Sequence, residues 1–171
     1  MTKDVLIEFS SIQYGAGAAG TDSAGSKSVK TDMTADNAES VSSKTDVIAD
    51  KTEYTVQGVY YEKSNKHYLL YDEVMEGFKE PVKNRVKFGE DALEITRSGP
   101  VNVRMLFENN KKNVANYNTS YGEVQLGINT KKVNISNSPD NILINVEYAI
   151  ESGGELLSEC IIMIEVKFIE N

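Results

Sequence analysis

The sequence predicts an all-β protein: a single antiparallel up-and-down β-barrel of about ten strands. Two observations support this prediction. Apolar and polar residues alternate in one segment after another, as in residues 142–150, and short turns rich in Gly, Pro, Asn and Ser separate these segments. Segments joined by short turns become antiparallel neighbours. Because such a sheet has one apolar face, it must close or stack to hide that face, and an up-and-down order closes most simply into a barrel.

The predicted strands follow one another along nearly the whole chain. In the first, residues 4–14, Val5, Ile7 and Phe9 share one face. The second begins at about Ile48 and ends at about Glu62. The remaining strands are predicted at residues 67–75, 82–88, 93–95, 101–107, 114–119, 122–135, 142–150 and 156–168. None of these segments has a sustained 3.6-residue period, so no helix longer than a short turn is expected.

A long polar stretch interrupts this pattern after the first strand. Residues 15–50 contain no aromatic residue and consist mostly of Gly, Ala, Ser, Thr, Asp and Lys, a composition typical of disorder. We therefore predict one domain, with residues 1–14 as the first barrel strand, 15–50 as a disordered excursion and 51–171 as the rest of the barrel. Residues 15–20 match the G-x-G-x-x-G spacing of dinucleotide sites, but no apolar stripe of a docked helix follows, which favours a linker.

Composition narrows the classes of partner. The chain has 171 residues and a formal net charge of −8, which argues against nucleic-acid binding. Its single cysteine, Cys160, lies on the apolar face of the last strand and is predicted to be a buried thiol in a reducing compartment. The first residues lack the apolar run of a signal peptide, and no stretch is long enough for a membrane span. We therefore expect a cytoplasmic protein without membrane contact.

Several short motifs together resemble the uncharacterised YwiB-like β-barrel family of bacteria. They are Ile95-Thr96-Arg97-Ser98-Gly99, Val103-Arg104-Met105-Leu106-Phe107, Tyr117-Asn118-Thr119-Ser120-Tyr121-Gly122, Gly58-Val59-Tyr60-Tyr61 and Tyr68-Leu69-Leu70-Tyr71. The resemblance covers the first strand and nearly everything after Asp50. It implies a calycin-like barrel, the architecture of lipocalins and fatty-acid-binding proteins, and it implies no settled activity. Ser120 stands where a proline is expected, and the excursion is longer than the usual connection.

Arg97 is the leading candidate for a functional residue. If Leu93 and Ile95 point into the barrel, the two-residue period turns Arg97 inward as well. A guanidinium in an apolar cavity is suited to a carboxylate or phosphate, and fatty-acid-binding barrels use inward arginines in this way. We predict a ligand site formed by Arg97, Tyr117, Tyr121, Met105 and Phe107. The alternatives are that Arg97 caps the barrel on backbone carbonyls and that the two tyrosines pack against turns.

No catalytic or metal-binding set is predicted. His67 is the only histidine, so it cannot form a multi-histidine metal site, and a solvent-exposed or partly packed ring after a turn is the simpler interpretation. The chain has no nucleophile elbow of the G-x-S-x-G type. Asp72, Glu73 and Glu76 could hold a hard cation, but without a loop signature a solvated acidic hairpin is favoured.

Two functions remain open, and an enzyme ranks third. The first is a non-enzymatic, lipocalin-like barrel that binds a small apolar or anionic ligand and needs no cofactor. The second is a protein-interaction module that uses the outer barrel face, where Leu106, Ile161 and Met163 lie opposite the apolar stripe of their strands. Its protein partner is not indicated by the sequence. A monomer or weak homodimer is expected.

Overall fold

The structure, a computed structural model, describes residues 1–15 and 48–170, and ten strands account for most of them. The strands are β1 (Thr2–Gly15), β2 (Ile48–Lys63), β3 (Lys66–Glu73), β4 (Val82–Phe88), β5 (Ala92–Ser98), β6 (Val103–Glu108), β7 (Lys112–Thr119), β8 (Gly122–Asn137), β9 (Asn141–Ser152) and β10 (Glu155–Phe168). The described residues contain no helix, and therefore none long and apolar enough to cross a membrane. The predicted all-β class is confirmed.

Every ladder between these strands is antiparallel, and together they form one sheet. Its order is β6-β5-β4-β3-β2-β1-β10-β9-β8-β7, so β1 and β10 meet in the middle and β6 and β7 lie at the two edges. The edges approach each other through an isolated bridge between Asn102 and Asn118. Asn113 adds a side-chain hydrogen bond to the backbone carbonyl of Leu106 at 3.3 Å. The sheet is therefore a nearly closed up-and-down barrel, as predicted.

Tight turns fix the register of neighbouring strands. The β2–β3 hairpin turns through Ser64 and Asn65, whose φ values are 50° and 61°. Two successive residues with positive φ match a type I′ turn, whose twist suits a two-residue hairpin. Here a serine occupies a position where Asn or Gly is more usual, because the flanking ladder determines the turn.

The alternation seen in the sequence places one face of every strand inside the barrel. Inward side chains from all strands form a single apolar cluster. Those least exposed, at 2% or below, include Val5, Ile7, Leu69, Val86, Phe88, Leu93, Phe107, Ile128, Ile142, Ile144 and Val166. Apart from Ile128, they lie toward the end of the barrel that carries the β2–β3, β4–β5, β6–β7 and β8–β9 turns; we call this the apolar end.

The strand ends agree with the predictions to within a few residues. β2 begins at Ile48, as predicted, and β1 includes Gly15, so both strands enter the stretch of residues 15–50 that was predicted as an excursion; residues 16–47 lie outside the described part of the chain. Leu156 is 46% exposed although it has the inward parity of Ser158 and Cys160. Its exposure follows from a register shift between Leu156 and Ser158, which interrupts the alternation. Cys160 is buried, as predicted.

Candidate functional site

Polar residues occupy inward positions at the other end of the barrel. Tyr71 on β3 pairs with Asn84 on β4, and Asn84 pairs in turn with Arg97 on β5. Since residues directly opposite in a sheet point to the same face, these three side chains form one row inside the barrel. We call the region around this row, together with Glu73, Tyr54 and Tyr148, the polar end.

An opening between β2 and β3 widens the interior beside this row. Their ladder ends at the pair Val59–Leu70, and the earlier part of β2 pairs only with β1. The hydroxyl groups of Tyr54 and Tyr71 bridge the divergence at 3.0 Å. Phe9 of β1 stacks on the Tyr54 ring with a centroid distance of 4.8 Å, which fixes that ring in position.

Arg97 faces inward and is paired with a carboxylate. Its Nη2 donates to Glu73 Oε2 at 2.8 Å, and the two side chains are 27% and 23% exposed. Asn84 donates from Nδ2 to the backbone carbonyl of Val82 at 3.3 Å and to Glu73 Oε2 at 3.5 Å. The Nε of Arg97 is buried without a hydrogen-bond partner among the described residues. The guanidinium is thus held by a single carboxylate, with donor capacity left over.

A cavity of about 170 Å³ lies against this pair. Because both side chains of the pair retain some exposure, the cavity is not sealed from solvent. Polar and apolar groups share its wall: Ser11, Thr52, Tyr54, Tyr71, Glu73, Asn84, Arg97 and Tyr148 on one hand, and Phe9, Ile95, Met105 and Ile162 on the other.

Burial sets the protonation state of the tyrosines around the cavity. Loss of water raises the pKa of Tyr71 and that of Tyr54 above the usual range for a phenol. Burial also raises the pKa of Tyr148 and of Tyr117. These four side chains therefore remain protonated hydroxyl groups at neutral pH, and each can donate as well as accept a hydrogen bond.

The structure brings three of the five predicted site residues together. Arg97 and Met105 line the cavity, and the Tyr117 hydroxyl donates to the Met105 sulfur at 3.2 Å. Phe107 is fully buried and contacts Tyr148 edge to face at 4.8 Å, so it supports the cavity wall without lining it. Tyr121 is 100% exposed in the β7–β8 turn and does not line the cavity. Of the two alternatives left open for Tyr121, its position in a turn disagrees with the cavity-lining one, because the residue lies outside the strands whose side chains alternate into the barrel.

Seven polar residues of the cavity wall were not assigned to the site from the sequence. They are Ser11, Thr52, Tyr54, Tyr71, Glu73, Asn84 and Tyr148. Glu73 was grouped with Asp72 and Glu76 as an acidic hairpin or cation site, whereas the structure turns it inward to Arg97. The signal was available, since Leu69, Tyr71 and Glu73 share one parity on β3. Within the described residues, no group of three metal-ligating side chains lies close enough to hold a metal ion.

His67 lies away from the Arg97–Glu73 pair, and Cys160 is held as an unreactive thiol. His67 packs between Tyr60 and Phe88, and its Nδ1 shares a 2.7 Å hydrogen bond with the Tyr60 hydroxyl near the apolar end. Burial raises the pKa of the Cys160 thiol, which disfavours the nucleophilic thiolate. The partly packed histidine predicted from the sequence is confirmed.

The three outward apolar residues do not form one patch. Leu106 lies on β6, whereas Ile161 and Met163 lie on β10, several strands away around the barrel. Met163 instead adjoins Leu143 in a groove of about 710 Å³ on the outside. This outer groove crosses β8, β9, β10, β1 and β2, and its other outward residues are Glu8, Ser10, Glu53, Thr55, Asn134, Ser136, Asn145 and Glu165.

The described residues form an antiparallel β-barrel with a small polar cavity at one end. The chain belongs to the family described as "Domain of unknown function (DUF1934)", whose model matches residues 37–164. It is 33% identical over 103 residues to the uncharacterized beta-barrel protein YwiB of Bacillus subtilis (strain 168), an alignment covering 60% of this chain and 71% of the relative.

The likeness extends to a solved structure. The crystal structure of ywiB protein from Bacillus subtilis matches with a TM-score of 0.72 at 21% sequence identity, covering 99% of this chain and 94% of the other. At this identity the match shows the shared fold alone. Together with the family match, it confirms the predicted YwiB-like barrel.

Proposed function

We propose that the protein is a non-enzymatic binding protein that holds a small ligand at the polar end of its barrel. The observation that carries this proposal is a cavity of about 170 Å³ beside the Arg97–Glu73 pair. Burying charged and hydroxyl groups costs free energy unless they are fully hydrogen-bonded. Leaving Arg97 Nε without a partner is therefore a cost that a bound ligand could offset.

The chemistry of the cavity favours binding over catalysis. Arg97 and Glu73 neutralise each other, and the tyrosines are held in their protonated form. A nucleophile activated by a neighbouring base is the usual feature of a hydrolytic site. His67 lies near the apolar end, away from Arg97, and so does not provide such a base in this structure.

Two adjacent serines on β1 provide a matched test. Ser11 lines the cavity, whereas Ser10 lies in the outer groove. A set of small molecules would be screened by ligand-observed NMR against the wild type, Ser11→Leu and Ser10→Leu. We expect some molecules to bind both the wild type and Ser10→Leu. The same molecules should not bind Ser11→Leu, because the leucine side chain takes up space in the cavity.

Absence of any molecule whose binding depends on Ser11 would contradict the proposal. Circular dichroism and a thermal melt would first establish that both variants are folded. A Ser11→Ala variant provides a further control, because it removes the hydroxyl without filling space and should retain binding.

The outer groove supports the alternative, a protein-interaction module. Leu143 and Met163 are 45% and 48% exposed there, flanked by the carboxylates Glu8, Glu53 and Glu165. Apolar residues within a polar rim are typical of a protein interface. Changing Leu143 and Met163 to Glu should abolish capture of a specific partner in a pull-down. Val114, 60% exposed on β7, gives the matched control Val114→Glu, and equal capture by both variants would remove the alternative.

A further inference from the structure

The size of the cavity limits what the polar end can hold. Its volume is about 170 Å³, close to the roughly 150 Å³ of a protein cavity that binds benzene and below the roughly 300–1,000 Å³ of sites for larger ligands. Toward the apolar end large apolar side chains point into the interior, with Leu93 and Phe107 fully buried. A molecule of about one ring therefore fits, whereas a long acyl chain would have to displace the core.

The charges around the cavity balance. Arg97 and Glu73 form an ion pair at 2.8 Å, so the pair has no net charge. A ligand carboxylate placed on Arg97 would lie close to the carboxylate of Glu73, and like charges at such a distance repel in a partly buried site. A cationic ligand placed on Glu73 would meet Arg97 in the same way. An uncharged ligand avoids both costs.

The remaining hydrogen-bonding capacity favours a ligand that accepts. In the Tyr54–Tyr71 pair only one hydroxyl donates to the other, so one hydrogen has no partner among the described residues. Tyr148, whose hydroxyl is protonated, also lines the cavity and adds a polar group to its wall. Ile95 and Ile162 supply an apolar wall for a ring.

From size, charge and hydrogen bonding together, we propose that the polar end selects an uncharged, ring-sized molecule carrying a carbonyl or hydroxyl oxygen, in preference to a carboxylate. This inference rests on the proposed function, because it names the ligand class of the same cavity. It also revises the expectation of an anionic ligand, since Arg97 is already neutralised by Glu73.

Three probes separate the ligand classes. Benzamide is neutral and ring-sized, benzoate has the same ring with a negative charge, and decanoate is a long carboxylate. Their binding would be followed through the ¹³C-methyl signals of Ile95 and Ile162, which line the cavity. From titrations of these signals, we expect benzamide to bind at least tenfold more tightly than benzoate or decanoate. Tyr71→Phe should weaken benzamide about fivefold, whereas Tyr68→Phe, which stacks on Tyr61 away from the cavity, should not.

A charge-neutralising variant tests the electrostatic step. Glu73→Gln keeps the shape of the side chain but leaves the Arg97 charge unbalanced, so benzoate should bind at least tenfold more tightly than to the wild type. Benzoate or decanoate binding the wild type as tightly as benzamide would overturn the inference while supporting the binding function. If none of the three probes binds, the inference about the ligand class is also overturned. The screen with the Ser11 variants then decides separately whether the cavity binds any molecule.

Discussion

The apolar and polar ends of the barrel use the same strands and the same inward alternation, yet they differ in packing. On β5, Leu93 is fully buried at the apolar end, and Arg97, four residues further along the same face, carries a charge at the polar end. On β3 the same change occurs between Leu69 and Glu73. Large apolar side chains are buried at the apolar end, whereas a cavity of about 170 Å³ lies at the polar end.

This difference indicates a division of roles between stability and binding. Buried apolar surface contributes about 25 cal/mol per Å² to folding, so the apolar end should provide most of the stability. Groups at the polar end lose hydration without full compensation, as the unpartnered Nε of Arg97 shows. Substitutions at the two ends should therefore differ in their effect on the free energy of unfolding.

The largest effect is expected from Phe107→Ala at the apolar end. The Phe107 ring is fully buried and packs against Tyr148, so its removal should lower the free energy of unfolding by about 3–5 kcal/mol. Urea denaturation followed by circular dichroism measures the change. Leu106 directly precedes Phe107 and lies on the outer face. Leu106→Ala is therefore the control, and it should lower the free energy of unfolding much less. Equal losses for the two variants would show that the apolar end is not the main source of stability.

Gly58 lies where β2 diverges from β3, beside the polar end. Gly58→Ala tests whether this position requires a residue without a side chain. An added Cβ would lie 2.6 Å from Ile7 Cδ1 and 2.8 Å from the backbone oxygen of Leu70. Since that oxygen belongs to the ladder, we expect a loss of about 1–3 kcal/mol by thermal or urea unfolding. Gly89→Ala is a matched control, because its Cβ would meet only the movable end of Lys66. A Gly58→Ala loss no greater than that of Gly89→Ala would refute this account.

Much of the comparison between the two ends could be anticipated from the chain itself. Alternation located all ten strands, and the parity of Leu93 and Ile95 predicted that Arg97 faces inward, as the structure confirms. These features depend on local periods that a single segment reveals.

The partner of Arg97 could not be found in the same way. Glu73 lies 24 residues earlier, and the two meet only because β4 aligns Asn84 with both Tyr71 and Arg97. Such a contact depends on the register of three strands, which one segment does not determine. Tyr121 was predicted either to line the cavity or to pack against a turn, and the structure places it fully exposed in the β7–β8 turn.

The third prediction concerns the ion pair of the polar end. Arg97→Met leaves Glu73 without its charged partner, and Glu73→Gln leaves Arg97 without its own. Each variant should lower the free energy of unfolding by about 1–2 kcal/mol. This value lies between those of buried and surface pairs because both side chains are about one quarter exposed. The double variant should lose less than the sum of the two. The surface pair Lys131–Glu159, with both side chains about half exposed, is the control and should show weaker coupling. Additive losses at Arg97 and Glu73 would refute the pairing.

The smallest effect at neutral pH is expected from Tyr71→Phe, which removes one hydroxyl from the polar end. Loss of the hydrogen bond to Tyr54 should cost about 0.5–1.5 kcal/mol at pH 7. The effect of Tyr71→Phe on the pH dependence of stability should be clearer than its effect at pH 7. Burial raises the pKa of Tyr71 in the folded protein above that of the unfolded chain, so its contribution is complete below about pH 10.

As pH rises beyond that value, the unfolded chain ionises first and the folded state loses stability toward the folded pKa of Tyr71. Wild-type protein should therefore lose stability more steeply between pH 9.5 and 11 than Tyr71→Phe, as measured by urea midpoints across this range. Phe107→Ala should keep the wild-type slope despite its larger loss at pH 7, because no ionisable group is removed. Identical slopes for the wild type and Tyr71→Phe would mean that the Tyr71 hydroxyl is not buried at the polar end.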